Sequence, residues 1–267
     1  AWEDFLDMTI SQAILWAATD TQPEEKSSEI AAAEPYFIGS HSGASGAWVS
    51  GPQDIAPEGY FWGAENMTTV KGLFAAGDAS GASSHKFSSG SLTEGRIAAK
   101  GMVRWLVNEN PPKPNVDAGE VEKLKGAALK PLRVFEEHKD KTTQVDINPH
   151  YILSDQFRMR LQKLMDEYAG GVSAQFTTSA PMLEKALELL KLLREDSENL
   201  GAQDLHGLMR CWENRHRMYQ AEVHVRSILF REETRWPGYY FRSDKPKMDP
   251  EWECFVNCTW DAKADTW

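Results

Sequence analysis

The alternation of apolar and polar residues predicts a mixed α/β region in the first part of the chain. Apolar residues recur at helical spacing over residues 2–18, which predicts a first helix. Short apolar runs bounded by glycine, proline or polar clusters come next, and such runs are typical of β-strands. The predicted strands cover residues 35–39, 47–49, 67–70 and 73–76. Amphipathic spacing then resumes from Ser91 to about Val107 and predicts a helix.

The second part of the chain is predicted to be all-α. Three prolines within residues 108–115 indicate a linker. Apolar residues then recur at helical spacing in four segments, residues 117–130, 148–170, 182–200 and 205–230. Pro131 is expected to break or kink the first of these, and Asn148-Pro149 has the residue types of a helix start. Four helices with short connections predict a helical bundle, and the tail beyond Arg235 is expected to be irregular and aromatic.

Composition and charge exclude several classes of function. A net charge of −11 over 267 residues argues against a surface for nucleic acid or for anionic membranes. No apolar run approaches the roughly 20 residues that a membrane-spanning helix needs. The three cysteines are too few and too scattered for a disulfide framework or an iron–sulfur ligand set, and the histidines form no metal-ligand pattern. We therefore expect a cytoplasmic protein with no metal site of its own.

Two further features concern completeness and partners. The chain has no initiator methionine and opens within the predicted first helix, which is typical of a piece of a larger protein. It also contains ten tryptophans, which is many for its length. Core filling is the ordinary explanation, and a partner interface is the alternative, because aromatic residues concentrate at interface centres.

The clearest chemistry lies in Gly72–Asp78 and in the predicted helix start that follows. The pattern predicts a buried strand that ends at Gly77-Asp78, a loop of small residues, and a helix from Ser91. An acid at a strand end can accept a hydrogen bond from a sugar-alcohol hydroxyl, and a helix start offers unpaired N–H groups and a positive dipole end. A flavin needs both, for its ribityl chain and its electron-rich pyrimidine edge. The cofactor-binding candidates are Gly77, Asp78, Gly90, Ser91 and Leu92.

Asp78 and Ser91 each also have an ordinary structural explanation. Asp78 could cap a turn or a helix, and Ser91 could be a plain helix N-cap. A capping role for the Ser91 side chain is compatible with a cofactor role, because Ser91 and Leu92 would contact the cofactor through their backbone N–H groups.

Longer runs of the sequence resemble a known family. Leu73–Asp78 together with Ser91-Leu92 resembles the second flavin-contacting segment of the fumarate reductase and succinate dehydrogenase flavoproteins. Within that family, four runs are similar to the alpha subunits of dissimilatory adenylylsulfate reductases, and together they are far more specific than a lone Ala-Gly-Asp. These runs are residues 33–43, 67–74, 85–91 and 235–242.

The resemblance implies a fold of the α/β plus all-α class. Residues 1–34 would be the end of a capping domain, and residues 35–110 the C-terminal segment of a Rossmann-like FAD-binding domain. Residues 111–267 would form the helical domain with its aromatic tail. The G-x-G-x-x-G fingerprint that cradles the flavin pyrophosphate is absent and would lie upstream, so the chain is expected to be a C-terminal fragment.

The resemblance also implies an activity. The expected reaction is the FAD-dependent reduction of adenosine 5′-phosphosulfate to AMP and sulfite in dissimilatory sulfur metabolism, which some relatives run in reverse. Electrons would arrive from an iron–sulfur beta subunit, so the iron–sulfur clusters would belong only to the partner of this heterodimer. The isolated fragment is expected to be inactive.

Three residues are candidates for contact with substrate. The resembling family places a substrate-contacting histidine in the segment that contains His41, which is therefore the catalytic candidate. Lys86 stands near the place where dicarboxylate enzymes carry an arginine, and its ammonium cannot form the same two-pronged grip on a carboxylate. Lys86 and its neighbour His85 could touch substrate or merely neutralise local charge.

Two rival functions remain open at this point. One is a fumarate reductase or succinate dehydrogenase type of flavoprotein, which the lysine at position 86 weakens. The other is a non-catalytic module whose helical bundle and Trp-rich tail dock a partner. Arg231, Arg235 and Arg242 around Trp236 could grip a partner or the flavin region, or form ordinary surface salt bridges.

Overall fold

The computed structural model describes residues 10–22, 25–26, 46–81, 88–235, 241–254, 256–261 and 263–267. The chain divides into two compact units, Ala1–Lys113 and Pro114–Trp267. This division falls within the proline-rich segment 108–115. None of the helices in the described ranges is long and apolar enough to cross a membrane.

The first unit contains two described helices, α1 (Ile10–Thr19) and α2 (Ser88–Glu109), and a 3₁₀ turn at Gly77–Ala79. Between the helices, isolated β-bridges hold residues 46–81 together. They join Ala47 to Ser80 in parallel, and Val49 to Thr68 and Met67 to Phe74 in antiparallel fashion.

The strands predicted at residues 47–49, 67–70 and 73–76 are wrong, because each of these segments contributes only isolated bridges. The chain instead turns tightly: the N–H of Thr68 donates to the carbonyl of Leu73 at 2.7 Å. Gly72 adopts a left-handed φ of +83° in this turn. The turn satisfies backbone groups that a sheet would otherwise pair. The strand predicted at residues 35–39 lies outside the described residues.

Helix α2 packs on the bridged segment through one face. Ala98 is buried on this face, and the backbone of Gly101 approaches Glu65 so closely that a Cβ at Gly101 would lie 2.5 Å from the Glu65 carbonyl oxygen. The ring of Trp105 meets Phe74 edge to face at 6.4 Å. This packing places the start of α2 beside the Gly77–Ala79 turn.

The second unit is helical, as the leucine pattern predicts. Its helices are α3 (Ala118–Ala128), α4 (Lys130–His138), α5 (Ser154–Tyr168), α6 (Ala180–Asp196) and α7 (Leu205–Phe230). Two-residue strands form two parallel pairs, β1 (Ile152–Leu153) with β3 (Leu200–Gly201) and β2 (Thr177–Thr178) with β4 (Phe241–Arg242). Leu153 lies opposite Gly201, and Thr178 lies opposite Arg242.

The core of the second unit lies among α5, α6 and α7. Its least exposed side chains come from all three helices, and they include Phe157, Leu161, Leu183, Leu190, Cys211, Met218 and Val225. Asp204 begins α7 by accepting a hydrogen bond from the N–H of Gly207 at 2.7 Å, as an N-cap residue does. The predicted bounds of α7, 205–230, are confirmed.

The predicted break near Pro131 is confirmed: α3 ends at Ala128 and α4 begins at Lys130, with Pro131 in its first turn, where the missing N–H costs nothing. Another predicted helix boundary in this unit is wrong. Asn148-Pro149 does not start a helix, because the Asn148 side chain accepts from the N–H of His150 and donates to the carbonyl of His138. The next helix, α5, begins at Ser154.

The C-terminal tail folds back on α6 and α7. The rings of Trp260 and Trp267 lie 6.4 Å apart, and Arg194 and Arg226 stand over them. Arg194 also pairs with Asp265 at 2.8 Å. These tryptophans therefore contact the chain's own helices on one side and stay partly exposed on the other.

Candidate functional site

The Gly77–Ala79 turn lies against the beginning of α2. Gly77 has a φ of +65°, in the left-handed region that favours glycine. A Cβ at this position would lie 3.1 Å from Ser91 Oγ and 3.3 Å from Ser91 Cβ. Both the backbone conformation and the close approach to Ser91 therefore require glycine.

Glu94 fixes the same turn from the next turn of the helix. Its Oε2 accepts the backbone N–H of Gly77 at 2.7 Å, and both residues are buried. Ser91 and Glu94 are three residues apart in α2, so their side chains share one face of the helix. The turn is thus attached to α2 by a steric contact at Ser91 and by a charged hydrogen bond at Glu94.

Asp78 follows directly at the surface of this turn. The carbonyl of Gly77 accepts the N–H of Ser80 at 2.9 Å, and Ser80 is buried against the bridge to Ala47. Asp78 is therefore held between two anchored neighbours, Gly77 and Ser80. The structure brings Gly77, Asp78 and Ser91 together as the sequence pattern requires.

The chain segment that precedes Asp78 differs from the prediction. The segment before it is not a buried strand: Leu73 is 55% exposed, and Phe74 forms only a single bridge. The acid lies in a 3₁₀ turn instead of at a strand end.

Helix α2 begins at Ser88, three residues earlier than predicted. Ser91 is consequently its fourth residue and not its N-cap. Gly90 and Ser91 lie in the first described turn of the helix, and Leu92 lies beyond it. Helix propensity does not predict a helix at residues 88–90, because serine and glycine are weak helix formers. The contacts of Ser91 and Glu94 with Gly77 hold this part of α2 in place.

Three other candidates cannot be placed. His41, His85 and Lys86 lie outside the described residues. The described part of the site therefore consists of Gly77, Asp78, Gly90, Ser91 and Leu92, with Glu94 added by the structure. The spacing of Glu94 from Ser91 was the signal in the sequence, since a residue three positions further along faces the same neighbour.

The arginines near residue 235 are structural, which neither sequence interpretation anticipated. Arg231 and Arg235 both pair with the fully buried Glu233, at 2.6 and 2.7 Å. Burial alone would raise the pKa of Glu233, but hydrogen bonds from Arg235, from the Asp249 amide and from Arg231 outweigh it and lower the pKa to about 2.

Arg242 closes the end of α7. Its side chain is almost completely buried, and its Nη1 donates to the carbonyls of Ile228, Leu229 and Arg231. Its Nη2 pairs with Asp244 at 2.7 Å, which holds the pKa of that carboxyl at about 2. The guanidinium thus satisfies carbonyls that a helix end leaves unpaired.

A cavity of about 690 Å³ lies in the second unit, and none of the predicted site residues lines it. It lies between the starts of α5 and α7. Its lining carries three acids, Asp146, Asp155 and Asp204, and three arginines, Arg158, Arg210 and Arg217, so their formal charges cancel. Among the described side chains, no group of three His, Cys, Asp or Glu residues could hold a metal ion.

Comparison with known proteins first shows similarity to a class of proteins, the FAD-dependent oxidoreductases. No family model matches the chain. An uncharacterized FAD-dependent oxidoreductase of Methanocaldococcus jannaschii is 25% identical over 191 residues, which cover 69% of this chain and 31% of that protein.

More particularly, the chain is similar over its full length to adenylylsulfate reductase. The alpha subunit of the enzyme from Megalodesulfovibrio gigas is 48% identical over 275 residues, covering 100% of this chain and 41% of that subunit. The structure of adenylylsulfate reductase from Archaeoglobus fulgidus superposes with a TM-score of 0.86 at 55% identity, covering 100% of this chain and 42% of that one. A structure of adenosine-5-phosphosulfate reductase in complex with sulfite, as a covalent adduct, matches equally well.

These matches confirm the resemblance that the sequence motifs indicated. The chain spans about two-fifths of the length of these relatives, 41% and 42% respectively. Its fold matches the corresponding region of these reductases, and the described residues of this chain are rich in helices and poor in strands.

Proposed function

We propose that this chain is the C-terminal part of the alpha subunit of an adenylylsulfate reductase. The observation that carries the proposal is the match to that enzyme over the whole chain, at 55% identity and a TM-score of 0.86. In this proposal residues 1–34 end a capping domain, residues 35–110 complete a Rossmann-like FAD-binding domain, and residues 111–267 form the helical domain.

The residues of the described site fit an FAD. Asp78 is exposed and anchored on both sides, so its carboxylate can accept a hydrogen bond from a ribityl hydroxyl. The start of α2 supplies backbone amides and the positive end of a helix dipole, beside Asp78. Gly90 and Ser91 belong to this helix start, Leu92 follows it, and Gly77 lets the Gly77–Ala79 turn approach it.

The bound flavin would supply an electron pair that cleaves the bond between the substrate's sulfur and its phosphate oxygen, giving sulfite and AMP. This chain would contribute positioning and charge. The amides at the start of α2 stabilise negative charge on the pyrimidine edge of a reduced flavin. His41 holds the anionic sulfate group, with Lys86 or His85 offering further positive charge in a chain that is acidic overall.

The electrons would come from an iron–sulfur beta subunit, which forms a heterodimer with the complete alpha subunit. The clusters belong to that partner, in keeping with the three scattered cysteines of this chain. Cys211 is buried, and this burial raises the pKa of its thiol to about 11, so it is a poor metal ligand. We place the complex in the cytoplasm.

The rival functions receive less support. Lys86 weighs against a dicarboxylate substrate, because an ammonium cannot grip a carboxylate with two parallel hydrogen bonds. A docking role for the Trp-rich tail has no bound partner to support it; Trp260 and Trp267 contact Arg194 and Arg226 of the chain's own helices and stay 46% and 37% exposed.

The proposal is tested with a complete alpha subunit that contains this chain, purified with its iron–sulfur partner. We expect sulfite- and AMP-dependent electron transfer to an artificial acceptor and the reverse reaction with adenosine 5′-phosphosulfate. Reduction of fumarate without any reaction of adenosine 5′-phosphosulfate would instead support the dicarboxylate rival.

A further inference from the structure

Asn66 has an unusual backbone conformation for a buried residue. Its φ is +62°, in the left-handed region that asparagine enters more readily than most residues other than glycine. Six residues other than glycine have such a φ in the part of the chain that the structure describes, and only Asn66 among them is buried, at 7% exposure. A conformation of this kind costs free energy, so it persists where the surrounding contacts require it.

The side chain of Asn66 takes the place of its own backbone N–H. Met67 and Phe74 face each other in an antiparallel bridge, and an ordinary ladder would continue with two hydrogen bonds between the backbones of Asn66 and Ala75. One of these is present, from the Ala75 N–H to the Asn66 carbonyl at 3.0 Å. The Asn66 N–H, which would form the other, donates instead to the carbonyl of Ser50 at 3.0 Å. The side-chain amide replaces it and donates to the Ala75 carbonyl at 2.9 Å.

Asn66 thereby fixes the chain just before the Gly77–Ala79 turn. Both backbone groups of Ala75 bind to Asn66, one through its carbonyl and one through its side-chain amide. Ala76 continues in an extended conformation, with φ −147° and ψ 158°, and leads directly into the turn. The position of Ala75 therefore helps to determine where the turn presents the carboxylate of Asp78.

We propose that Asn66 is a positioning residue of the flavin site. Through Ala75, it holds the Asp78 carboxylate where that group accepts a hydrogen bond from a ribityl hydroxyl. Asn66 itself touches neither the cofactor nor the substrate. The inference rests on the proposed function, because it takes Asp78 as a contact of the FAD. It adds a residue whose effect on the cofactor is indirect, and a binding site needs such support to keep its geometry.

The test is a double-mutant cycle on FAD affinity, made in a complete alpha subunit that contains this chain. Asn66→Gly removes the side-chain donor and leaves the left-handed backbone accessible, since glycine adopts this φ freely. Asp78→Ala removes the carboxylate that Asn66 is proposed to hold. The apoprotein of the wild type, of each single variant and of the double variant is titrated with FAD.

We expect Asn66→Gly to weaken FAD binding about fivefold, which is the size of effect that one lost hydrogen bond produces. In the Asp78→Ala background, the same substitution should change the affinity by less than about twofold, because no carboxylate is left to position. This non-additivity distinguishes a positioning role from a general contribution to the stability of the fold.

Two further variants complete the experiment. Asn66→Asp keeps the size of the side chain, but its carboxylate cannot donate to the Ala75 carbonyl, so it should weaken FAD binding at least as much. It is taken through the same cycle, which gives the answer if Asn66→Gly does not fold. Asn110→Gly is the matched control, because Asn110 also has a positive φ, of +40°, and is exposed directly after α2. It should leave the FAD affinity unchanged.

The cycle distinguishes failure of this inference from failure of the proposed function. If the Asn66 substitutions weakened FAD binding by the same factor with and without the Asp78 carboxylate, the inference would be overturned and Asp78 would remain a flavin contact. Unchanged affinity in both Asn66 variants would overturn it as well. If Asp78→Ala alone bound FAD like the wild type, the flavin contact proposed for Asp78 would be wrong, and the inference would fall with it.

Discussion

The backbone N–H of Gly77 donates a 2.7 Å hydrogen bond to Oε2 of Glu94. This bond joins the Gly77–Ala79 turn to the second turn of α2. Both groups are buried, so neither can find water as a replacement partner. The position of Asp78 relative to the helix start thus depends on a carboxylate that would not itself touch a flavin. Glu94 is a positioning residue.

Two substitutions of Glu94 should distinguish its hydrogen bond to Gly77 from the effect of its charge on the flavin. Glu94→Ala leaves the Gly77 N–H unpaired and should cost about 1–3 kcal/mol of stability. In the complete subunit it should weaken FAD binding at least about tenfold, which corresponds to 1.4 kcal/mol. Glu94→Gln retains an acceptor oxygen, so it should restore most of the affinity while raising the flavin reduction potential through loss of a negative charge.

The exposed Glu109 of the same helix supplies the control. Glu109 pairs with the exposed Lys71 at 3.4 Å, and it lies at the end of α2 that is far from the Gly77–Ala79 turn. Glu109→Gln should therefore change neither the FAD affinity nor the flavin reduction potential. Flavin titration and potentiometry of the three variants provide the measurements. If Glu94→Ala bound FAD like the wild type, Glu94 would have no positioning role.

Gly77→Ala should destabilise the first unit by two effects. The left-handed φ of +65° strains any residue with a Cβ, by about 1 kcal/mol, and the new methyl group would press on Ser91. Gly59 has a φ of +86°, and a methyl group added there would meet nothing within 4 Å, so Gly59→Ala carries the backbone strain alone. Chemical unfolding should show a larger loss for Gly77→Ala, and equal losses would contradict the contact with Ser91.

The buried Glu233 should make stability depend on pH. Its pKa is lowered from 4.5 to about 2 in the folded chain, so its contribution is fully present above the unfolded value of 4.5 and is lost as the pH falls toward 2. Glu233→Gln should cost about 3–5 kcal/mol near neutral pH, because Arg231 and Arg235 lose their shared partner.

The neighbouring Glu232 is the matched control for this experiment. It pairs with Lys245 at 3.1 Å with both side chains well exposed, so Glu232→Gln should cost less than about 1 kcal/mol. Urea unfolding measured between pH 3 and pH 7 distinguishes the two variants. If the difference in unfolding free energy between the wild type and Glu233→Gln did not change between pH 3 and pH 7, the pH dependence would not come from Glu233.

His41→Ala should remove most turnover of the complete heterodimer while leaving its flavin absorption spectrum unchanged. The reason is that a substrate-contacting histidine supports the anionic sulfate group and not the cofactor. His206→Ala is the control, because His206 lies in the second unit beside the polar cavity. Unchanged turnover in His41→Ala would remove this residue from the mechanism.

The isolated 267-residue chain should bind no FAD tightly, because the pyrophosphate fingerprint is absent from its sequence. Equilibrium dialysis against FAD provides the measurement, with a complete alpha subunit that contains this chain as the positive control. Stoichiometric bound flavin in the isolated chain would refute this expectation.

Local patterns in the sequence predicted some parts of this structure well. Helix α7 has the predicted bounds, because an N-cap at Asp204 and a long apolar period act within one segment. The proximity of Gly77 to Ser91 also agrees with the pattern of a turn feeding a helix.

Other features depend on contacts that no local pattern contains. The apolar run 73–76 has the composition of a strand, but a strand needs neighbours, and Leu73 bonds back to Thr68 and Val70 instead. The start of α2 at Ser88 and the role of Glu94 both depend on Gly77, which is distant along the chain. The burial of Glu233 gave no sign in the sequence, because the site also depends on residues further along: Arg231 donates to the carbonyls of Trp252 and Cys254, and the Asp249 N–H donates to Glu233.

The guanidinium of Arg242 has a consequence for how the protein can be shortened. A chain cut before this residue would leave the last carbonyls of α7 without their donor, so the final helix would fray from its end. Trimming from the C-terminus should therefore damage the hydrophobic core of the helical unit abruptly at this arginine instead of gradually. A shortened version that keeps its fold must retain Arg242 and the acid that holds it, Asp244.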